Sequence, residues 1–413
     1  MLSELNISNS LRILLYLSEI DKSEYLIDYV DFSNNEEFTD EFLFIKEENT
    51  LIISSKFKEA LLVEIYEFIR KHCPNSKDTD YDSKFGSIRT QTILYRFSIV
   101  TPLKEAILWD LLTLLMLIEG ISPIIWEKKN FIFNTFKMES NRDYLRFILY
   151  EIKLIRTTLN TVCKSGDIWN FLETITYEYF KVCVIIGNEK EPREECILNF
   201  HDEFIQKQLN IHDNNYYCWS FVNWIIFTLI PSIGKLKCDG EFQYSENYLN
   251  ISTKWVIRLL LTQPFNFGGY NTLVNIIECK IKSHVKNNYK TDELIKIAYS
   301  KEIMDLLEKI IEAFKESPRN CITVVLHFRY CLFILISSYI RDKEYGILLE
   351  NEVNWIKEIN LNEATGKKDV MEIKEHIEFL EKELTRYINS IDNYSNIINK
   401  LSTIRNNFID SQL

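Results

Sequence analysis

Over most of this chain, apolar residues recur in steps of three and four, the spacing that lines one face of an α-helix. The C-terminal stretch shows it best. Ile373, Ile377, Leu380, Leu384, Ile388, Ile391, Tyr394, Ile398 and Leu401 fall on one stripe, with Glu378 and Lys382 as a favourable pair four apart. A helix of about 35–40 residues there would be about 55 Å long. It either packs along the body, folds back near Ser390–Tyr394, or pairs with a partner helix. The steps drift from strict heptads, which weakens a coiled-coil reading without removing it.

The same period, with start signals, predicts helices over 103–119, 142–163 and 167–185. Thr101-Pro102 and Ser122-Pro123 place a capping hydroxyl before a proline, and Ser140 with Asp143 has the spacing of a capping box. Further helices fill 195–340, with Thr291 and Ser317-Pro318 as starts. KLKCDGEFQYSEN (235–247) and QPFNFGGYN (263–271) are the connections between them. Near the N-terminus the pattern differs. A helix over about 2–20 and an acidic, Asn-rich stretch precede FLFI and LIISS, which predict a short β-hairpin at about 41–55. A helix over 56–73 then ends at Pro74.

These elements predict an all-α fold: an irregular stacked-helix array of HEAT/ARM-like kind, with a small N-terminal β-hairpin and a long C-terminal helix. No repeat of fixed period is visible, as in degenerate solenoids. The breaks divide the chain into 1–78, 79–190, 191–345 continuous with the preceding region, and the helical C-terminal 346–413. Composition agrees. The 413 residues hold only 10 glycines and 7 prolines, against a combined average near 12%. Sharp turns and glycine-rich phosphate loops are correspondingly scarce.

The net charge of −12 argues against nucleic acid and anionic membranes, which are bound by Lys and Arg. Nine widely spaced cysteines without a C-x-x-C pair, several in apolar runs such as those around Cys183 and Cys331, read as reduced, buried thiols. The first residues lack a basic stretch and a small-residue cleavage site, so an intracellular, cytoplasmic or nuclear protein is expected. Three apolar stretches, 106–126, 214–234 and 320–340, approach the length of a membrane span. Each carries a defect: Asp110 and Glu119; Asn223 and Pro231; His327 and Arg329. Buried helices of a large helical protein explain them better, with an integral membrane protein as an alternative.

Candidate chemistry is thin. Asp78, Asp80 and Asp82 begin a calcium-loop spacing, but Ser83 and Arg89 occupy the glycine and glutamate positions it needs. His201-Asp202 and His212-Asp213 are of the type that ligates metal in helical phosphohydrolases, which gives a second alternative, an enzyme built on dispersed His and Asp. Lys280, Lys282, His284, Lys286 and Lys290 form the one basic cluster, read as a solvated helix face. No catalytic residue, cofactor or metal site is expected. The chain instead holds 26 Phe, 22 Tyr and 7 Trp, residues favoured at interfaces as well as in cores. The function expected is therefore a non-enzymatic scaffold or adaptor, acting through other protein subunits of an intracellular complex. Its candidate partner-binding residues are Tyr216, Tyr217, Trp219 and Trp224, with Ile377, Leu380, Leu384, Ile388 and Ile391 on the C-terminal helix.

Overall fold

The computed structural model describes residues 26–30, 44–47 and 50–54, a few around 62–66, nearly all of 92–337, and Tyr339, Leu348, Glu352, Glu378 and Lys382. The described residues are predominantly helical, consistent with an all-α class. The chain divides into two compact units, one of residues 1–208 and 215–242, the other of 209–214 and 243–413.

In the first unit, β1 (Leu26–Val30) runs parallel to β3 (Thr50–Ser54), and β2 (Phe44–Glu47) runs antiparallel to it, with Glu47 opposite Thr50. β2 and β3 fall within the stretch where apolar runs predict a hairpin. β1 has no counterpart in that prediction, because its partner lies 24 residues on (Leu26 opposite Thr50) and a five-residue apolar run does not report so distant a pairing.

The helices that follow begin with α1 (Leu103–Glu119). Residues 106–117 of α1 are all buried, as befits a helix apolar on every side. Its start differs slightly from expectation. The Thr101 hydroxyl bonds the Glu105 carboxylate at 2.9 Å, and the Pro102 carbonyl, one residue later, accepts the first helical N–H groups. α2 (Pro123–Thr135) opens on its proline as predicted. α3 (Asn141–Thr161) is capped by the Ser140 hydroxyl, which accepts from the Arg142 N–H at 3.2 Å. Asp143 leaves the expected box and pairs with Arg146 at 3.6 Å instead. α4 (Gly166–Ile185) and α5 (Glu194–Ile211) follow.

Side-chain contacts fix how these helices run. Trp169, Thr176 and Tyr179 of α4 meet Phe204, His201 and Phe200 of α5 in reverse order, so the two are antiparallel. Arg156 and Asn160 of α3 meet His201 and Gln208 in the same order, so α3 and α5 run parallel. α6 (Tyr216–Trp224) lies parallel to α4, with Phe221 against Trp169 and Tyr217 against Gly166. The core between them is aromatic: Trp169, Phe171, Phe180, Phe204, Trp219 and Phe221 are fully enclosed. Each such side chain contributes about 1.5–3 kcal/mol by leaving water.

Past Trp224 the helix widens into a π-turn (Ile225–Leu229), where the Ile230 N–H reaches back five residues to the Ile225 carbonyl, then narrows into α7 (Ile230–Lys237). Pro231 gives the reason. It brings no N–H, and its ring would collide with the carbonyl four residues back. Widening the preceding turn relieves that collision without ending the helix. Tyr216–Leu236 is the one described helix long and apolar enough to cross a membrane, and half of its most apolar window is buried inside the protein.

The second unit contains α8 (Glu246–Thr262), α9 (Phe267–Lys286), α10 (Thr291–Ala298), α11 (Lys301–Lys315) and α12 (Ile322–Ser337). Here one expectation is corrected. The Gly268-Gly269 pair does not form a connection; it opens α9, where Asn266 accepts from the Gly268 N–H at 2.9 Å and so caps the helix. Thr291 does begin α10. Ser317-Pro318, Asp78, Asp80, Asp82 and the C-terminal stripe lie outside the described residues. Of that stripe's neighbours, Glu378 and Lys382 are described, both helical and exposed.

Candidate functional site

Among the described residues, three buried polar centres and two exposed surfaces stand out. The first centre sits among α1, α2 and α3. On α1, Trp109 and Thr113 are one turn apart and face the same way. On α2, Lys129 shares a stripe with Ile125, Ile132 and Phe133, so the pattern that buries them carries the ammonium inside. Its Nζ donates to Thr113 Oγ1 at 2.6 Å and to Glu151 Oε2 at 3.2 Å, and lies 4.0 Å from the centre of the Trp109 ring. The Trp109 indole N–H donates to the other Glu151 oxygen at 3.0 Å, and the Thr113 hydroxyl donates to the Trp109 carbonyl. Lys129 and Glu151 have no solvent exposure. Burial lowers the Lys129 pKa, opposed by the charges of Glu151 and, more weakly, Asp110. A perturbed lysine often marks an active site. This one is closed to solvent and every partner is committed, which makes it an internal tie between three helices.

The second centre is His201, half of one of the two His-Asp dipeptides considered only as an alternative metal-ligand set. It stands on the inward face of α5, fully buried. Arg156 Nη2 donates to its Nδ1 at 2.9 Å and to the Phe200 carbonyl at 2.8 Å. A guanidinium only donates, so Nδ1 accepts and the ring proton is on Nε2. Nε2 meets Thr176 Oγ1 at 3.3 Å. The rings of Phe200 and Phe221 stand edge-on to the imidazole. Burial and the Arg156 charge hold its pKa well below the ordinary histidine value. Both ring nitrogens are engaged, so neither is open to a metal. Asp202, next in sequence, accepts from Gln206 at 2.9 Å and does not share this centre.

The third centre belongs to the second unit. Arg329 Nε and Nη2 grip both oxygens of Glu352 at 2.9 and 2.7 Å, deep in the interior. The charged residue that counted against a membrane span on α12 is thus a buried, bidentate ion pair. On α9, Lys282 is exposed and pairs with Glu278 at 2.7 Å, while Lys280 is half-buried and burial lowers its pKa.

The aromatic residues proposed to meet a partner divide by position. Tyr216 is 71% exposed, and Tyr217, 36% exposed, packs edge-on against it at 5.7 Å. Tyr217 also rests on Gly166, where an added Cβ would come within 2.9 Å of its ring. Trp224 is half-buried and stacks on Phe221. Trp219 lies in the core at 1% exposure, so it presents nothing to a partner. One helical turn separates the inward Trp219 from the outward Tyr216, which the aromatic-rich run alone does not sort. Ile377, Leu380, Leu384, Ile388 and Ile391 lie outside the described residues.

A second surface lies apart from the aromatic run. A groove of about 440 Å³ runs between α1 and α2, lined by Lys104, Glu105, Leu108, Glu127, Lys128, Phe131 and Ile132. Phe131 is 66% exposed at its edge. Phe131 follows Lys128 by three residues and breaks the inward stripe of α2, which is the signal that could have found it. Among the described residues, no group of three or more His, Cys, Asp or Glu converges as metal ligands do. No protein-family model and no curated protein matches this chain.

Proposed function

We propose that this protein is a helical scaffold or adaptor that binds other protein subunits within an intracellular assembly. The observation that carries the reading is the groove between α1 and α2, with the largely exposed Phe131 at its edge and two lysines and two glutamates around it. An apolar floor inside a rim of both charges suits a segment of another protein, with the ring as anchor and the rim setting register. The Tyr216–Tyr217 pair offers a second rigid aromatic contact on the same unit. Stacked helices of HEAT-like kind, ending in a long C-terminal helix, would give such contacts an extended base.

The test is site-specific photocrosslinking in the native host, with a photoreactive residue at 131, 216 or 128, all exposed positions. Adducts with one defined polypeptide from the probe at 128, lost when Phe131→Asp is added to that same probe, support the reading. A chain that yields no adduct from any of the three positions and runs alone at its monomer mass refutes it.

A further inference from the structure

On α12, His327 and Cys331 stand four residues apart, one turn along the same face. His327 is exposed and Cys331 is half-buried, so solvent reaches the space between them. Their reactive atoms, His327 Nε2 and Cys331 Sγ, are 3.6 Å apart. A tetrahedral zinc ion bonds sulfur at about 2.3 Å and imidazole nitrogen at about 2.0–2.1 Å, which makes the S···N edge of its coordination shell about 3.6 Å. The two atoms are therefore already at chelating separation. Phe267 packs edge-on against the imidazole at 5.3 Å, which restrains the ring in this orientation.

From this geometry we infer that His327 and Cys331 form a two-point chelate for a borderline divalent cation of the zinc type, with water completing the tetrahedron. Binding replaces the S–H bond by a metal–sulfur bond; the thiol proton passes to solvent and no electron is transferred. Burial pushes the Cys331 thiol up from its ordinary value. The pair fits neither the C-x-x-C nor the H-E-x-x-H spacing, but H-x-x-x-C on a helix places both ligands on one face.

Cobalt(II) added alone to the full-length protein tests this, because a thiolate–cobalt bond gives a charge-transfer band in the near ultraviolet. The expected result is a saturable band that zinc(II) displaces, and that loses one cobalt equivalent in both Cys331→Ser and His327→Ala. His327→Gln serves as a second variant, and unchanged far-ultraviolet circular dichroism shows that each variant is folded. The chelate is overturned if the wild-type protein gives no band, or if Cys331→Ser keeps it undiminished. It is equally overturned if the band survives in both folded His327 variants, since the thiol would then bind without the imidazole.

Discussion

The Lys129–Glu151 tie makes an unusually specific demand on stability and pH. Replacing Glu151 by Gln keeps the shape and leaves an oxygen to accept the Trp109 N–H, but removes the counter-charge 3.2 Å from Lys129 Nζ. The ammonium, with no exposure to water, escapes most cheaply by losing its proton. For a lysine of ordinary pKa, about 10.4, that costs about 5 kcal/mol at pH 7 and about 2 kcal/mol at pH 9. These are ceilings, because the Asp110 charge still favours the ammonium. The folded Glu151→Gln chain then binds fewer protons than the unfolded one, so its stability rises with pH. Lys129→Met does the reverse. It strands Glu151, whose protonation costs at most about 4 kcal/mol at pH 7 and about 1 kcal/mol at pH 5, so stability falls as pH rises. The double variant, with no buried charge left in the pair, should be more stable at pH 7 than either single one. Urea unfolding followed by far-ultraviolet circular dichroism at pH 5, 7 and 9 measures all three. Parallel pH profiles for the two single variants, or a double variant with the sum of their losses, would refute the reasoning, since packing and not charge would then set the cost.

Three further outcomes follow from the other centres. His201 is held neutral when folded but titrates normally when unfolded, so through this residue the folded chain binds fewer protons; its contribution to stability should fall as pH drops below about 6.5, by up to about 1.4 kcal/mol per unit, read as the difference in slope between wild type and His201→Gln because Glu173 acts in the opposite direction over the same range. His201→Gln should lose that slope in urea titrations between pH 7 and 5. Glu173 has the opposite sign, because burial raises its pKa to about 7. Its cost is present above that pH and relieved below it, so Glu173→Gln should stabilise by about 1 kcal/mol at pH 8, after allowing for solvent screening, and do little at pH 4. Arg329→Leu strands Glu352 and should cost about 3–5 kcal/mol; Arg329→Lys should recover less than half in thermal unfolding, because an ammonium cannot span both oxygens.

The sequence by itself determined the helices and where several of them begin. The expected spans 103–119, 142–163 and 167–185 stand at Leu103–Glu119, Asn141–Thr161 and Gly166–Ile185, because periodic apolar residues and local caps are short-range signals. What lies inside was legible only as an anomaly. Lys129, Glu151 and His201 each interrupt an apolar stripe, and nothing along the chain says that the first two find each other 22 residues apart while the third finds Arg156. Pairing depends on which helix faces land together, and that is decided by packing of side chains far apart in sequence. The same holds for the surfaces. One run of aromatic residues supplies both the core Trp219 and the exposed Tyr216, while Phe131 edges a groove that exists only because α1 and α2 lie side by side. Tertiary structure alone chose which aromatic rings and which charges would meet water, since every one of them fits a helix equally well before the helices pack.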